Sequence, residues 1–177
     1  MRILLTGGAG FIGSHTAVEM TQSGHEVIIY DNLCNSDTSA LDRLEKILGR
    51  RLPFEEGDIR DYDRMCEVLS KYKIEAVVHF AGLKAVGESC EKPLEYFDNN
   101  INGTLVLLRA MKSLGIKRII FSSSATVYGM PQYLPLDEKH PLSVTNPYGR
   151  TKLQVEEILS DLCSSDPEWS AVCLRYF

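Results

Sequence analysis

The sequence is short of several features, and each absence narrows its class. Its five cysteines (Cys34, Cys66, Cys90, Cys163 and Cys173) are odd in number and widely scattered, with no C-x-x-C pair. That pattern fits reduced thiols, and neither a disulfide framework nor a zinc site is expected from it. No metal is expected elsewhere in the chain. No apolar stretch approaches the roughly 20 residues that a membrane span needs. Basic runs are missing too: 19 Lys and Arg stand against 24 Asp and Glu, a formal net charge of −5. An acidic chain without a basic run argues against nucleic acid or an anionic membrane as the main partner. At the start, Arg2 is followed by three apolar residues and then a glycine-rich turn, which does not read as a secretion signal. The expectation is a soluble, cytoplasmic protein with a small-molecule partner.

What remains is ordinary globular material. The 177 residues are 44% hydrophobic and 24% charged, enough for one core-bearing domain and too few for two full ones. Short apolar runs alternate with helical patterns. The runs are Ile3 to Leu5, Val27 to Tyr30, a weaker one at Phe54, then Ala76 to Phe80, Arg118 to Ser122 and Ala171 to Leu174. Bare apolar runs of this kind predict strands buried on both faces. Pro53 places the third at a sheet edge, because proline cannot donate to a ladder. Helices are predicted over Phe11 to Thr21, around Leu41, Leu44 and Leu48, and over Asp61 to Tyr72, Leu94 to Leu114 and Pro147 to Cys163. Gly24, Gly49 and Gly115 supply stop signals. Strand–helix alternation implies an α/β fold, a doubly wound parallel sheet with helices on both faces and right-handed crossovers. The irregular segment Met130 to Asn146, with three prolines, reads as a ligand loop.

Gly7-Gly8-Ala9-Gly10-Phe11-Ile12-Gly13 joins the first strand to the first helix. Glycine lets the backbone approach a pyrophosphate, and the helix start offers free N–H donors with a partial positive charge. Asp31 ends the second strand, 18 residues after Gly13. A carboxylate there accepts ribose hydroxyls and repels a 2′-phosphate, so NAD is expected over NADP. The bland alternative is a tight turn with close helix–sheet packing. The strand–turn–helix context favours the dinucleotide.

Tyr148 and Lys152 stand four residues apart at a helix start, hence on one face. An ammonium beside a phenol stabilises the phenolate, giving a usable general base. By spacing alone the pair is more often a surface pairing. Ser122-Ser123-Ser124 shifts the balance, since it ends the fifth strand on the edge where open α/β sheets bind ligands. A serine hydroxyl there relays a proton, and that role is assigned to Ser124. Ser122 and Ser123 are expected to satisfy backbone groups at the strand end. Lys84, after the fourth strand, reads as a cofactor contact. His15 and His79 read as helix-face or packing residues, without an acidic partner in their motifs. Nothing near Cys34 suggests an activated thiolate.

Together these residues resemble the extended short-chain dehydrogenase/reductase family, and within it the 4-epimerases of UDP-sugars. The segments carrying the likeness are LLTGGAGFIGSHT, Asp31 to Ser36, Gly57-Asp58-Ile59, HFAGLKAVGES (His79 to Ser89), Asn99-Asn100, FSSSATVYG (Phe121 to Gly129), NPYGRTK (Asn146 to Lys152) and LRYF (Leu174 to Phe177). They span the chain in family order. The resemblance implies pyrophosphate contacts from Gly7, Gly10, Phe11, Ile12 and Gly13. It places Asp31, Asn32, Leu33, Cys34, Asn35 and Ser36 at the adenosine ribose, and Asp58 and Ile59 at the adenine. Phe80, Ala81, Gly82, Leu83, Lys84, Asn99 and Phe177 would line the way to the nicotinamide. Tyr148, its pKa lowered by Lys152, would take the proton from the sugar 4-hydroxyl with Ser124 assisting; Lys84, Ala125 and Thr126 would also meet the substrate. UDP-galactose and UDP-glucose would interconvert by transient oxidation at carbon 4.

Related 4,6-dehydratases carry Thr-Asp-Glu where Ser124-Ala125-Thr126 stands, and their acidic pair eliminates water. Ala125 and Thr126 cannot do this. The resemblance also implies a further C-terminal portion that grips the uridine nucleotide, and a homodimer through the helices at Leu94 to Leu114 and Pro147 to Cys163. Residues 1–177 are accordingly expected to be the NAD-binding domain. Two readings stand side by side, a 4-epimerase and a catalytically silent NAD-binding module.

Overall fold

Short β-branched runs that each feed a helix have few ways to pack, and the chain takes the parallel one. A computed structural model describes residues 1–177. Its strands are β1 (Arg2–Thr6), β2 (Glu26–Asp31), β3 (Phe54–Glu56), β4 (Ala76–His79), β5 (Arg118–Ser124) and β6 (Ser170–Tyr176). They form one sheet in the order β3-β2-β1-β4-β5-β6, and every neighbouring pair is parallel. The order reverses between β1 and β4, which opens a crevice at their carboxyl ends. β3 lies at the edge, as Pro53 requires; the Pro53 carbonyl accepts the Ile29 N–H at 2.9 Å.

The helices are α1 (Phe11–Gln22), α2 (Ser39–Leu48), α3 (Tyr62–Lys71), α4 (Val86–Glu91), α5 (Pro93–Phe97), α6 (Gly103–Ser113) and α7 (Pro147–Ser165). Strand alternation splits the core between two layers. Leu4, Tyr30, Val77 and Phe121 meet Met65 and Leu69 of α3, Leu107 and Met111 of α6, and Val155 and Leu159 of α7. Ile3, Leu5, Val27, Ile29 and Val78 turn the other way, onto Ala17 of α1 and Leu41 and Leu44 of α2. Each fully buried leucine or isoleucine contributes about 1.5–3 kcal/mol. None of the helices is long and apolar enough to cross a membrane.

The segment Leu94 to Leu114 is not one α-helix: α5 and α6 are joined by a π-helical turn, Asp98–Asn102. The wider turn interrupts the α-helical hydrogen-bond ladder where Asn99 lines the cavity described below and Asn100 is buried against Leu83 and Thr151. The sixth strand is not buried on both faces. Ala171, Cys173 and Arg175 are half-buried, while Val172, Leu174 and Tyr176 are exposed, because α7 packs on one face of β6 and no helix covers the other.

Candidate functional site

The β1–α1 turn is shaped by what a side chain would hit. Gly7 has φ +69°, and a Cβ on it would lie 2.6 Å from the Ala81 nitrogen, so only glycine lets the β4 exit pass. A Cβ on Gly13 would fall 2.4 Å from the Gly7 carbonyl oxygen, which brings α1 hard against the turn. Gly10 differs. Its φ of −71° suits any residue, and a Cβ would meet only the Gly7 oxygen, at 3.2 Å. Little in the protein demands glycine there; the room opens on the cavity. Gly10 caps α1 without a side-chain hydrogen bond, and the first turn has no acidic residue. The N–H groups of Phe11, Ile12 and Gly13 therefore lack helical partners and favour an anion.

Asp31 anchors this turn to the end of β2. One carboxylate oxygen accepts the Ala9 N–H at 3.0 Å, and the other accepts the Leu33 N–H at 2.9 Å and the Ser36 hydroxyl at 3.0 Å. Three protein donors thus share the acidic group before any ribose does, leaving about one of its four acceptor positions.

The crevice holds a cavity of about 290 Å³. Its wall contains Gly7, Gly10, Phe11, Ile12 and Gly13 of the turn, Asp31, Asn32, Cys34, Asn35 and Ser36 after β2, and Ile59 after β3. Phe80, Ala81, Gly82, Leu83 and Lys84 follow β4, Asn99 comes from the π turn, and Ser124, Tyr148 and Lys152 complete the set. Five residues named from the sequence stand outside the wall. Leu33, at φ 58°, packs on the core. Asp58 is bound by Arg60 and Asn32, which hold its carboxyl down to about 2. Thr126 donates its hydroxyl to Ser124 Oγ, with Ala125 between them in a 3-10 turn, Ala125–Tyr128. Phe177 is 87% exposed and stacks on Tyr128.

Tyr30, Gly57, Ser122, Ser123 and Tyr176 also line the cavity, although the sequence assigns none of them to the site. For Tyr176 the signal was available: neighbours in a strand face opposite ways, so Tyr176 and Phe177 could not both turn inward. Gly57 is set by packing, since a Cβ there would sit 2.4 Å from the Tyr30 hydroxyl oxygen. Ser123 corrects another expectation. It donates to Glu156 instead of satisfying a backbone group at the strand end.

Asn146 caps α7 by accepting the Gly149 N–H at 2.8 Å, and Pro147 fills the first turn. This sets Tyr148 and Lys152 over the end of β5. Lys152 Nζ donates to the Ser122 carbonyl at 2.7 Å and sits 4.7 Å from the Phe121 ring centre. It lies 5.9 Å from the centre of the Tyr148 ring. Burial pushes the ammonium down to about 8. Burial also raises the Tyr148 phenol above its ordinary value, with the nearby Ser124 hydroxyl pulling the other way. The direction of the Tyr148 shift is thus set by burial, and the expected lowering by Lys152 has no part in it. Beneath, His79 is buried between Thr6 (2.6 Å) and Thr104 (2.9 Å), and burial drives its pKa down to about 3. His15 bonds the Phe11 carbonyl on the face of α1. No group of three or more His, Cys, Asp or Glu is placed to hold a metal.

The model of the family described as GDP-mannose 4,6 dehydratase matches residues 4–177. The chain belongs to that family. UDP-glucose 4-epimerase of Bacillus subtilis is 55% identical over 177 residues, which is 100% of this chain and 52% of that protein. A UDP-glucose 4-epimerase from Bifidobacterium longum, solved with NAD+ and UDP, superposes with a TM-score of 0.98 at 52% identity; it is matched over 100% of this chain and 53% of its own. One from Stenotrophomonas maltophila, with bound NAD and formylated UDP-arabinopyranose, gives 0.98 at 49% identity and the same coverage. The chain spans about half the length of the curated relatives it matches.

Proposed function

We propose that this chain is the NAD-binding domain of a UDP-glucose 4-epimerase, which interconverts UDP-galactose and UDP-glucose by transient oxidation at sugar carbon 4. The observation that carries the reading is the meeting of Ser124, Tyr148 and Lys152 in the wall of a cavity that the uncapped glycine turn also lines. The room beside Gly10 and the unpaired N–H groups of α1 fit a pyrophosphate. Bound NAD+ would supply a reversible hydride acceptor and, while oxidised, a positive charge.

Tyr148 receives the proton from the sugar 4-hydroxyl and later returns it. Because burial raises its phenol, it acts as a base only with positive charge beside it, and Lys152 contributes part of that charge. Lys152 is itself held by the Ser122 carbonyl, which fixes the ammonium relative to the phenol. Ser124, steadied by Thr126 N–H (3.2 Å) and hydroxyl (3.0 Å), bridges the 4-hydroxyl and Tyr148. Dehydration, the chemistry named in the family description, has no acid–base pair here: Ala125 and Thr126 stand where an Asp–Glu pair would be needed. Five free thiols support a reducing, cytoplasmic setting. Leu94, 82% exposed on α5, supports a homodimer contact along α5–α6 and α7.

Native mass spectrometry of the chain tests the cofactor, and a coupled assay of UDP-galactose conversion tests the activity. A one-to-one NAD complex with turnover that disappears in Tyr148→Phe supports the 4-epimerase. NAD binding with no UDP-sugar affinity would replace it with the silent NAD-binding module.

A further inference from the structure

The helix face that carries Tyr148 and Lys152 continues one turn further to Glu156, since residues four apart stack on one side of a helix. A carboxylate in that place is the natural partner of the Lys152 ammonium. The structure pairs it elsewhere. Arg175 of β6 takes both of its oxygens, Nε to Oε1 at 3.0 Å and Nη2 to Oε2 at 2.7 Å. Ser123 adds a third donor to Oε1 at 2.5 Å. The Glu156 side chain is 9% exposed and the Arg175 side chain 21%, so water screens the pair little. Arg175 is itself fixed. It lies opposite Ser123 in the β5–β6 register, its Nη1 donates to the Tyr128 hydroxyl at 2.9 Å, and its guanidinium lies 4.9 Å from the Tyr128 ring centre.

We propose that Arg175 is a positioning residue that neutralises Glu156, so that Lys152 stands beside Tyr148 without an anionic partner. The proposal rests on the reading of Tyr148 and Lys152 as the proton-handling pair and extends it to β6. Around Lys152 the groups are few. Tyr148 and Glu156 share its helix, His79 of β4 lies behind the Phe121 ring, and β5 presents that ring and the Ser122 carbonyl. The π turn adds the Asn100 amide near Gly82, and β6 adds Arg175, with Cys173 close enough to feel Glu156 and Arg175. Glu156 is the one carboxylate among them. Freed from Arg175, it would stabilise the ammonium and oppose the phenolate, which is the wrong direction for a base on Tyr148.

The test reads Lys152 directly, by NMR titration of the Cε and Nζ signals in ¹³C,¹⁵N-lysine-labelled chain, with Lys152→Met for assignment. Arg175→Met is expected to raise the Lys152 midpoint by about one pH unit, a tenfold change in its ionisation. Glu156→Gln, which leaves the guanidinium uncompensated, is expected to lower it, and the double variant to return it to the wild-type value. A folded Arg175→Met with an unmoved midpoint overturns the proposal. Should that variant fail to fold, an unmoved midpoint in Glu156→Gln overturns it equally. No turnover is needed, so loss of the proposed activity and loss of this inference are read separately.

Discussion

Gly10 and Gly13 lie three residues apart in the same turn, yet alanine should act on them in opposite ways. At Gly13 the added methyl would meet the Gly7 oxygen at 2.4 Å and the Gly8 Cα at 2.7 Å, both backbone atoms that cannot swing aside. Overpacking of that kind costs about 1–3 kcal/mol, which for a domain of this size lowers Tm by about 2–12 °C. At Gly10 the methyl would meet the Gly7 oxygen alone, at 3.2 Å, with φ −71° already suited to alanine. The folding cost there is the weaker N-cap, about 1 kcal/mol or less. Ligand binding reverses the ranking. A methyl on Gly10 occupies the side from which a pyrophosphate reaches the first N–H groups of α1, and each charge-assisted hydrogen bond lost is worth about 1.5–3 kcal/mol. NAD affinity should fall at least about tenfold. Thermal melts and NAD titration calorimetry on both variants decide it. If Gly10→Ala binds NAD like the wild type, or loses as much stability as Gly13→Ala, the assignment of that space to a ligand is wrong.

Other consequences are equally direct. Tyr148→Phe should abolish UDP-galactose conversion while NAD binding persists, and Ser124→Ala should slow it by about 10²-fold, both read in steady-state assays. Stability should depend on His79. Its folded pKa, about 3, lies below the ordinary 6.5, so the unfolded chain takes up a proton that the folded one refuses. The contribution is complete above pH 6.5 and falls as pH drops towards 3, at a slope approaching about 1.4 kcal/mol per pH unit. Urea unfolding of wild type and His79→Gln at pH 7, 6 and 5 should show that slope only in the former. Equal slopes would mean that His79 is protonated in the fold.

Most of the sheet was legible because five strands hold apolar runs and α1, α2, α3, α6 and α7 end at a glycine or begin at a capping residue; β3, with Glu55 and Glu56, and the short α4 and α5 carry neither signal. The glycine turn and Asp31 were legible for the same local reasons. What escaped depends on contacts between distant segments. The π turn at Asp98–Asn102 exists because Asn100 reaches Leu83 and Thr151, neither of which is near it in sequence. β6 reads like its neighbours, but one of its faces is open because α7 covers only the other. Ser123 looked like strand-end punctuation until Glu156, 33 residues on, came to meet it. The raised Tyr148 phenol was hidden for a similar reason: spacing shows that an ammonium is near, and only packing shows how dry the site is.

All six strands run the same way, so the molecule has two unlike rims. The cavity, the π turn and the Tyr148 end of α7 crowd one of them. The other carries the reversals at Gly24, Gly49, Lys73 and Gly115 and the turn at Asp166–Trp169; the three glycines have positive φ, which a side chain would strain although nothing lies within 4 Å of them. Strand length separates the rims by about 20 Å. A dye, an affinity handle or a biosensor linker attached at the exposed Lys73 reversal would therefore hold every molecule with its crevice facing the solution.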